Sequence, residues 1–252
     1  MRIDYPDQTQ LPQLRRLWQE AFGDDDDFLD AFFGEVFSPD RCRCVTEANE
    51  VTAALYWLDC ALEDRPMAYL YAVATAKKHR GLGHCKALMA DTHKLLQDLG
   101  YAGAILVPGE PGLFQMYRGM GYEVCSRVRQ WTCGPADRGM ALREVDGAEY
   151  TRLRRQYLPA GGVVQEQENL ALLQVTTRLY AGEGVVFCAT GVETGHLICA
   201  EFLGDPAAAG QVLTALQCRR GTFRGPGNDR DFAMYRPFLP GKAPEYFGLA
   251  FD

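Results

Sequence analysis

The sequence lacks any C-x-x-C pair, although it contains nine cysteines. An odd number of cysteines without paired spacing does not complete a disulfide framework, and it lacks the ligand spacing of structural zinc sites. The four histidines have no ligand spacing either. We therefore expect reduced thiols and no metal site.

Long apolar runs and an excess of positive charge are also missing. No run of about 18 apolar residues occurs, and the N-terminal segment MRIDYPDQTQLPQLRRLW has no apolar core of the kind found in secretion signals. These absences predict a cytoplasmic protein that does not span or enter a membrane. The chain carries 26 Lys and Arg against 33 Asp and Glu, a formal net charge of −7. Nucleic acid is therefore not expected as a partner, and any anion site must be local.

The first half of the sequence alternates helix and strand patterns. Apolar residues at helical spacing begin at Leu11 and end at Gly23, and the acidic run 24–27 begins a second helix. Three strand patterns follow, RCRCVTE, VTAALYWLDC and PMAYLYAVAT, and a tight Ala-Asn turn separates the first two. A helix from Cys85 to Leu99, a buried strand, a short helix and a last strand complete the order. This order predicts an α+β fold with a mixed, mostly antiparallel sheet.

The second half of the sequence repeats parts of this pattern. LREVDGAEYTRLRRQYL is similar to the first helix, and VVFCATGVETGHLICAEF is similar to the paired strands. The segment CGPADRGM, at 133–140, is typical of a linker. We therefore predict two domains, 1–133 and 140–252, the second a diverged copy of the first. An unrelated α+β cap is the alternative.

The stretch KKHRGLGHCKAL, at 77–88, joins the buried strand YLYAVATA to a helix. A glycine turn that opens a helix exposes unpaired N–H groups at the positive end of that helix, which is where phosphates bind. A Rossmann fingerprint fails here because Lys86 stands where the third glycine belongs, and a Walker loop is absent. In the second half, Leu-Gly-Asp-Pro stands at the corresponding place, and its aspartate would repel a phosphate. RGPGND, at 224–229, predicts a hairpin loop.

Two motifs identify a family. Arg80-x-x-Gly83-x-Cys85 after the strand YAVAT resembles the Q/R-x-x-G-x-G/A pattern of the GNAT superfamily of acyl-CoA-dependent N-acyltransferases, and MYRGMGY at 116–122 resembles its later F-Y-x-x-x-G-F/Y pattern. The resemblance covers about residues 1–132 well and the remainder only faintly. It implies a GNAT domain followed by a degenerate, GNAT-like second domain of α+β fold.

The resemblance also implies a coenzyme site. The loop would cradle the pyrophosphate of coenzyme A with residues Arg80, Gly81, Leu82, Gly83, His84 and Cys85. Val73 and Thr75 would pair with the pantetheine arm as if it were another strand. Phe114 would pack near the coenzyme. Cys85 departs from the family's Gly or Ala, and we interpret it as a tolerated small residue rather than a reactive thiol, although a helix N-terminus favours thiolate.

For catalysis, the resemblance assigns Tyr117 as the general acid that protonates the departing thiolate, whereas a buried core tyrosine is the alternative. The strand PMAYLYAVAT, where the family often has a glutamate as general base, carries no carboxylate. Asp59 and Glu110 are candidates. Asp252 is another, because some multidomain relatives bring their C-terminal carboxylate into the active site.

The resemblance implies an N-acetyltransferase that uses acetyl-CoA as cosubstrate, and the cysteine and histidine spacing predicts no metal. Acetyl would pass directly to a primary amine on a small molecule or peptide, in a ternary complex. An acyl-CoA-binding regulator or scaffold without turnover is the alternative. The sequence names neither the acceptor nor an oligomeric state.

Overall fold

A computed structural model describes residues 1–251, and these residues form two compact units. The first unit consists of Met1–Glu123 together with Met234–Lys242. The second consists of Val124–Ala233 together with the described residues from Ala243 onward. This division differs from the contiguous segments 1–133 and 140–252, because a strand from the second half of the sequence completes the first unit.

The first unit contains four helices and five strands in its N-terminal segment. The helices are α1 (Leu11–Phe22), α2 (Asp26–Ala31), which runs into a π-helical turn (Phe32–Val36), α3 (His84–Asp98) and α4 (Pro111–Arg118). The strands are β1 (Arg2–Asp4), β2 (Cys42–Glu47), β3 (Glu50–Leu62), β4 (Arg65–Thr75) and β5 (Gly103–Leu106).

These strands are hydrogen-bonded in the order β1-β2-β3-β4-β5. The pairs are antiparallel except β4 with β5, which is parallel. The predicted Ala-Asn turn between β2 and β3 is confirmed, since Ala48 and Asn49 have φ angles of 47° and 65°, as a tight hairpin requires. The far edge of β5 pairs antiparallel with residues 234–237. The prediction of a mixed, mostly antiparallel α+β sheet is confirmed.

The pairing of β4 with β5 is short. Only Ala68 and Tyr69 pair with β5, so from residue 70 to its end β4 has no β5 partner among residues 1–251. On the other edge, Tyr56 pairs with Tyr71 and Ala54 pairs with Ala74, so β4 carries one extra residue. This is a β-bulge. The bulge and the short pairing leave Val73 and Thr75 without a β5 strand partner within residues 1–251.

The second unit repeats much of the element order of the first, with an added short strand between its first two helices and, among its described residues, no helix between its last two strands. Its helices are α5 (Gly147–Tyr157), α6 (Glu168–Thr176) and α7 (Ala209–Ala215). Its strands are β6 (Glu123–Cys133), β7 (Leu142–Glu144), β8 (Val164–Gln165), β9 (Arg178–Gly182), β10 (Val185–Thr190), β11 (His196–Gly204), β12 (Arg220–Pro226) and β13 (Arg230–Pro237). Strands β6 and β13 each contain residues of both units.

The sheet of the second unit follows the order β7-β9-β10-β11-β12-β6. The β11 and β12 pair is parallel, as β4 and β5 are, and a helix connects each pair. Both sheets thus contain one such parallel pair, and the second unit as a diverged copy of the first stays a prediction. The predicted hairpin around RGPGND is wrong, because β6 lies between β12 and β13 and pairs with β12.

Each unit has its own buried core. Trp18 in the first unit contacts Phe32, Tyr56 and Tyr71, with ring centroids 4.5 to 5.5 Å apart. The core of the second unit includes Phe187, Phe202 and Phe223.

A buried ion pair accompanies the core of the second unit. Arg154 binds Glu201 through two hydrogen bonds of 2.6 and 3.0 Å. The hydroxyl of Tyr246 donates to the same carboxylate at 3.1 Å. The chain segment that contains Tyr246 is thus fixed to the unit's core by a buried charge.

Candidate active site

The loop after β4 is shaped by two glycines. Gly81 and Gly83 have φ angles of 78° and 86°, which side chains rarely adopt. A Cβ atom on either glycine would meet no atom within 4 Å, so the space above both is open. Leu82, between them, is 65% exposed. The glycines therefore serve the backbone conformation and leave room for a ligand.

The same loop leaves a row of backbone N–H groups unpaired. Helix α3 begins at His84, and its N-cap residue, Gly83, has no side chain to accept a hydrogen bond. Among residues 1–251 we find no acceptor for the N–H groups of 81–86, and the first paired amide is that of Ala87, which donates to Gly83. Unpaired amides at the positive end of a helix form an anion site.

The basic residues of the loop have different roles. The Lys78 ammonium group lies 2.7 Å from Glu50, so its charge is already paired. Arg80 donates from Nε to the carbonyl of Thr75 at 3.2 Å, which ties the loop to the end of β4. The guanidinium of Arg80 remains exposed beside the unpaired amides.

His84 points into the protein. Its side chain is buried, with Nδ1 2.7 Å from the Thr52 hydroxyl and Nε2 3.5 Å from the Glu47 carboxylate. The imidazole also stacks on His79, with centroids 5.3 Å apart. His84 therefore fixes the start of α3 to strands β2 and β3, and only its amide faces the anion site. The contacts of Thr52 and Glu47 with His84 were not predicted from the sequence, because nothing in the local pattern of either residue marks them.

Cys85 and Tyr117 are both largely shielded from solvent. Burial raises the pKa of the Cys85 thiol, so the thiolate is disfavoured. This agrees with its interpretation as a tolerated small residue. Tyr117, on α4, is 6% exposed. Burial, and then the nearby Cys85, raise the pKa of its phenol well above the usual range. Tyr117 therefore keeps its proton at neutral pH.

The surroundings of Tyr117 are aromatic. Its ring contacts Tyr122 edge-on at 5.8 Å, and the Tyr122 hydroxyl lies 2.7 Å from His93 Nε2. The Tyr117 hydroxyl itself has no hydrogen-bond partner within the described part of the chain. Phe114, one turn earlier on α4, is partly buried. The phenol is thus available to a ligand, whereas Tyr122 is engaged.

The carboxylate candidates differ in position. Asp59 pairs with Arg41 and accepts from the Tyr101 hydroxyl, both at 2.5 Å. It lies opposite Ala68, seven residues before Thr75, which is about 23 Å along the strand. This removes Asp59 from the site. Glu110 is exposed at the N-cap of α4, just beyond the end of β5. Asp252 lies outside the described residues.

Three carboxylates of the acidic run 24–27 accept hydrogen bonds from nearby residues. Asp24 accepts from Trp18 Nε1 at 2.7 Å, and Asp25 caps α2 by accepting from the Phe28 amide at 2.9 Å. Asp26 accepts from Gln19 at 2.8 Å. These contacts favour a solvated helix start over a site for a cationic amine.

A bulged strand with a free edge, followed by an uncapped glycine turn at a helix N-terminus, defines an α+β protein with a site for an extended anionic ligand. The family model described as "Acetyltransferase (GNAT) domain" matches residues 2–125. Residues 2–125 therefore match the GNAT acetyltransferase family, as the two motifs predicted. The comparison with curated proteins gave no match.

Solved structures share the fold over nearly the whole chain. A GCN5-related N-acetyltransferase from Anabaena variabilis is 17% identical, with a TM-score of 0.73 over 94% of this chain and 72% of its own. A GCN5-related N-acetyltransferase from Kribbella flavida is 20% identical, with a TM-score of 0.70 over 94% and 70%. Eis1 from Mycobacterium abscessus is 12% identical, with a TM-score of 0.69 over 94% and 74%. At these identities the likeness shows the fold, which extends through both units.

Residues 1–251 contain neither a candidate membrane span nor a candidate metal cluster. No helix there is long and apolar enough to cross a membrane. No group of three or more His, Cys, Asp or Glu within the same range could hold a metal ion.

Proposed function

We propose that the protein transfers an acetyl group from acetyl-CoA to a primary amine on a small molecule or peptide. The observation that carries this proposal is the row of unpaired amides at 81–86 beside the free edge of β4. The pyrophosphate of the coenzyme binds these amides, with Arg80 adding charge. The pantetheine arm runs along β4 past Val73 and Thr75, as an added strand would. Phe114 packs near the coenzyme.

The reaction is a direct transfer within a ternary complex. The neutral amine attacks the thioester carbonyl, a C–N bond forms, and the C–S bond breaks. Tyr117 donates its hydroxyl proton to the departing thiolate, and a general base removes the surplus proton from the nitrogen. Because its pKa is raised, Tyr117 carries the required proton throughout the neutral pH range.

The general base in this proposal is the carboxylate of Asp252, with Glu110 as the second candidate. Deletion of residues 251–252 is expected to lower turnover sharply while acetyl-CoA affinity is retained. Glu110→Gln is the parallel variant. Normal turnover after the deletion would exclude Asp252, and a loss of turnover in Glu110→Gln alone would assign the role to Glu110.

The test of the function is thiol release from acetyl-CoA with a panel of polyamines, aminoglycosides, amino acids and peptides. Release that depends on an acceptor and is lost in Tyr117→Phe supports the transferase. The second candidate is an acyl-CoA-binding regulator, which the absence of a carboxylate on β4 favours. Tight coenzyme binding without release by any acceptor would support that candidate instead.

A further inference from the structure

Two histidine side chains pack against each other beside the glycine turn. The imidazoles of His79 and His84 stack with their planes 22° apart and their centroids 5.3 Å apart. His79 directly precedes Arg80, and His84 is the first residue of α3. We call these two residues the histidine pair. Imidazole is the side chain whose charge ordinarily changes between about pH 5 and pH 8, so the turn has a titratable group at each end.

The surroundings of His84 suit a charged imidazolium. Its Nδ1 lies 2.7 Å from the Thr52 hydroxyl, which in turn lies 3.4 Å from the Val45 carbonyl. Its Nε2 lies 3.5 Å from the Glu47 carboxylate. With a proton on both nitrogens, Nδ1 donates to Thr52, Thr52 donates to Val45, and Nε2 faces a negative charge. In either neutral tautomer one of these contacts loses its hydrogen, because a hydroxyl has a single hydrogen to donate.

The stacked geometry opposes a second proton on the pair. The Nδ1 atom of His79 is buried and has no hydrogen-bond partner within residues 1–251. A proton there would be an unpaired buried donor, which is costly. It would also place a second positive charge 5.3 Å from a charged His84 ring, and like charges at such a distance repel. The geometry therefore favours a pair that carries one proton, shared as in other coupled sites.

The other charges around the histidine pair are matched. Glu50, on β3, pairs with Lys78 at 2.6 Å. The hydrogen bond from Lys78, and then the charges of Lys78, His79 and Arg16, lower the pKa of Glu50, so this carboxylate stays ionised. Glu20, on α1, accepts from a backbone amide of the loop at 2.5 Å. These groups keep their charge as the pH changes around neutrality.

Glu47 is the carboxylate left for His84. Among residues 1–251 it has no other ion pair. The amide of His84 stands in the row 81–86 that has no acceptor, and the cations Arg80 and Lys86 beside this row are exposed. Positive charge in the first turn of a helix adds to the positive end of its dipole and favours a bound anion. The bound anion favours the charged imidazole by the same amount.

We propose that binding of the coenzyme pyrophosphate to the unpaired amides is accompanied by uptake of a proton from solvent on the histidine pair, with Glu47 holding the charged form. This regulation rests on the proposed function, because it concerns the same anion site. The linkage has a defined sign. Affinity is highest at low pH, where the free pair is already charged, and it falls as the pH rises through the titration of the pair. Between about pH 5.5 and pH 8 affinity is expected to fall about three- to tenfold.

The test is calorimetric titration of dephospho-coenzyme A at about pH 5.5, 6.5 and 8, in two buffers with different enthalpies of ionisation. The difference in heat between the buffers counts the protons taken up on binding. Dephospho-coenzyme A is the probe because it lacks the phosphomonoester of coenzyme A, a group that itself titrates near about pH 6. The wild type is expected to take up a fraction of a proton at the middle pH and less at the highest pH.

Two variants assign the proton. Glu47→Gln keeps the size of an exposed side chain and removes the charge that favours the imidazolium, so it is expected to fold normally. It should lower both proton uptake and affinity about two- to threefold at the middle pH and leave affinity at the highest pH unchanged. His84→Asn, which retains a donor for Thr52, should abolish the uptake. His196→Gln, in the second unit, is the matched control and should behave as the wild type does.

An absence of proton uptake in the wild type, or an uptake that Glu47→Gln leaves unchanged, would overturn the proposal. An equal loss of affinity in Glu47→Gln at every pH would also overturn it, because a purely structural contact has that effect.

A wild type that does not bind dephospho-coenzyme A or acetyl-CoA at any pH would refute the proposed function instead. The histidine pair is then tested with sulfate, whose charge is constant in this range of pH. The amide chemical shifts of residues 81–86 should respond to sulfate more strongly at low pH in the wild type than in Glu47→Gln. Equal responses in the two proteins would overturn the proposal.

Discussion

The two units share much of their order of elements, but they differ at one turn. This turn lies between β4 and α3 in the first unit and between β11 and α7 in the second. In the first unit, Gly83 leaves the amides at the start of α3 free. In the second unit, Asp205 follows β11 and accepts from the amide of Ala207 at 2.9 Å. A carboxylate of the chain thus already occupies the place where an anion would bind. The shared order of elements therefore does not by itself leave an open anion site, because the two turns differ in whether a side chain caps the amides.

The largest expected effect comes from closing the turn of the first unit. Gly83→Val places a branched side chain at a φ of 86°, which must shift the amides of the loop. Loss of two charge-assisted contacts costs about 3–6 kcal/mol, so acetyl-CoA affinity is expected to fall by more than about 100-fold in calorimetry.

The matched control is Gly184→Val in the second unit. Gly184 has a φ of 74° and, like Gly83, no atom within 4 Å of an added Cβ. The backbone strain is therefore similar, but coenzyme affinity should be retained. An equal loss of affinity in both variants would show that general destabilisation, and not the loop, causes the effect.

The next effect concerns the stability of the second unit. Arg154→Met removes the positive charge that pairs with Glu201, whose side chain is 0% exposed. Removing one member of a buried pair is expected to cost about 3–5 kcal/mol in the free energy of unfolding, measured by denaturant titration. Arg155→Met, on the same helix, removes the exposed pair with Glu166 and should cost less than about 1 kcal/mol. Similar costs for both variants would contradict the role of the buried pair.

Tyr117→Phe tests whether the first unit is a catalyst as well as a binder. Loss of a general acid is expected to lower kcat by about 100-fold, while acetyl-CoA affinity changes little. Tyr122→Phe, which removes the contact with His93, is the control for the aromatic cluster and should leave kcat within a few-fold. An unchanged kcat in Tyr117→Phe would make Tyr117 a core tyrosine only.

The smallest expected effect comes from removing the carboxylate that caps the turn of the second unit. Asp205→Ala removes a cap and should lower stability by about 0.5–2 kcal/mol. We expect no second coenzyme site in equilibrium titration, because α7 has seven residues and the turn lacks the paired glycines of the first unit. A stoichiometry of two coenzymes per chain would show that the second unit binds a coenzyme as well.

The features of the fold and site that depend on short stretches of sequence could be predicted. Gly81, Gly83 and Tyr117 stand in patterns a few residues long. The strand-like segments predicted β2, β3 and β4, and the helical spacing of apolar residues predicted α3. Non-local contacts were not predictable from one sequence. Thr52 and Glu47 meet His84 only because a hairpin folds over the loop. The expected hairpin at RGPGND failed for the same reason, since β6 separates β12 from β13.

The pairing of β5 with residues 234–237 has a consequence for the order of folding. About half the length of the chain separates the partners, so the first unit cannot close its sheet while the ribosome is still adding the second. Contacts of such long sequence separation slow folding, and domains otherwise fold as they are synthesised. Until residues 234–237 are synthesised, β5 has an unpaired edge. A chain truncated before residue 234 would leave that edge exposed to aggregation.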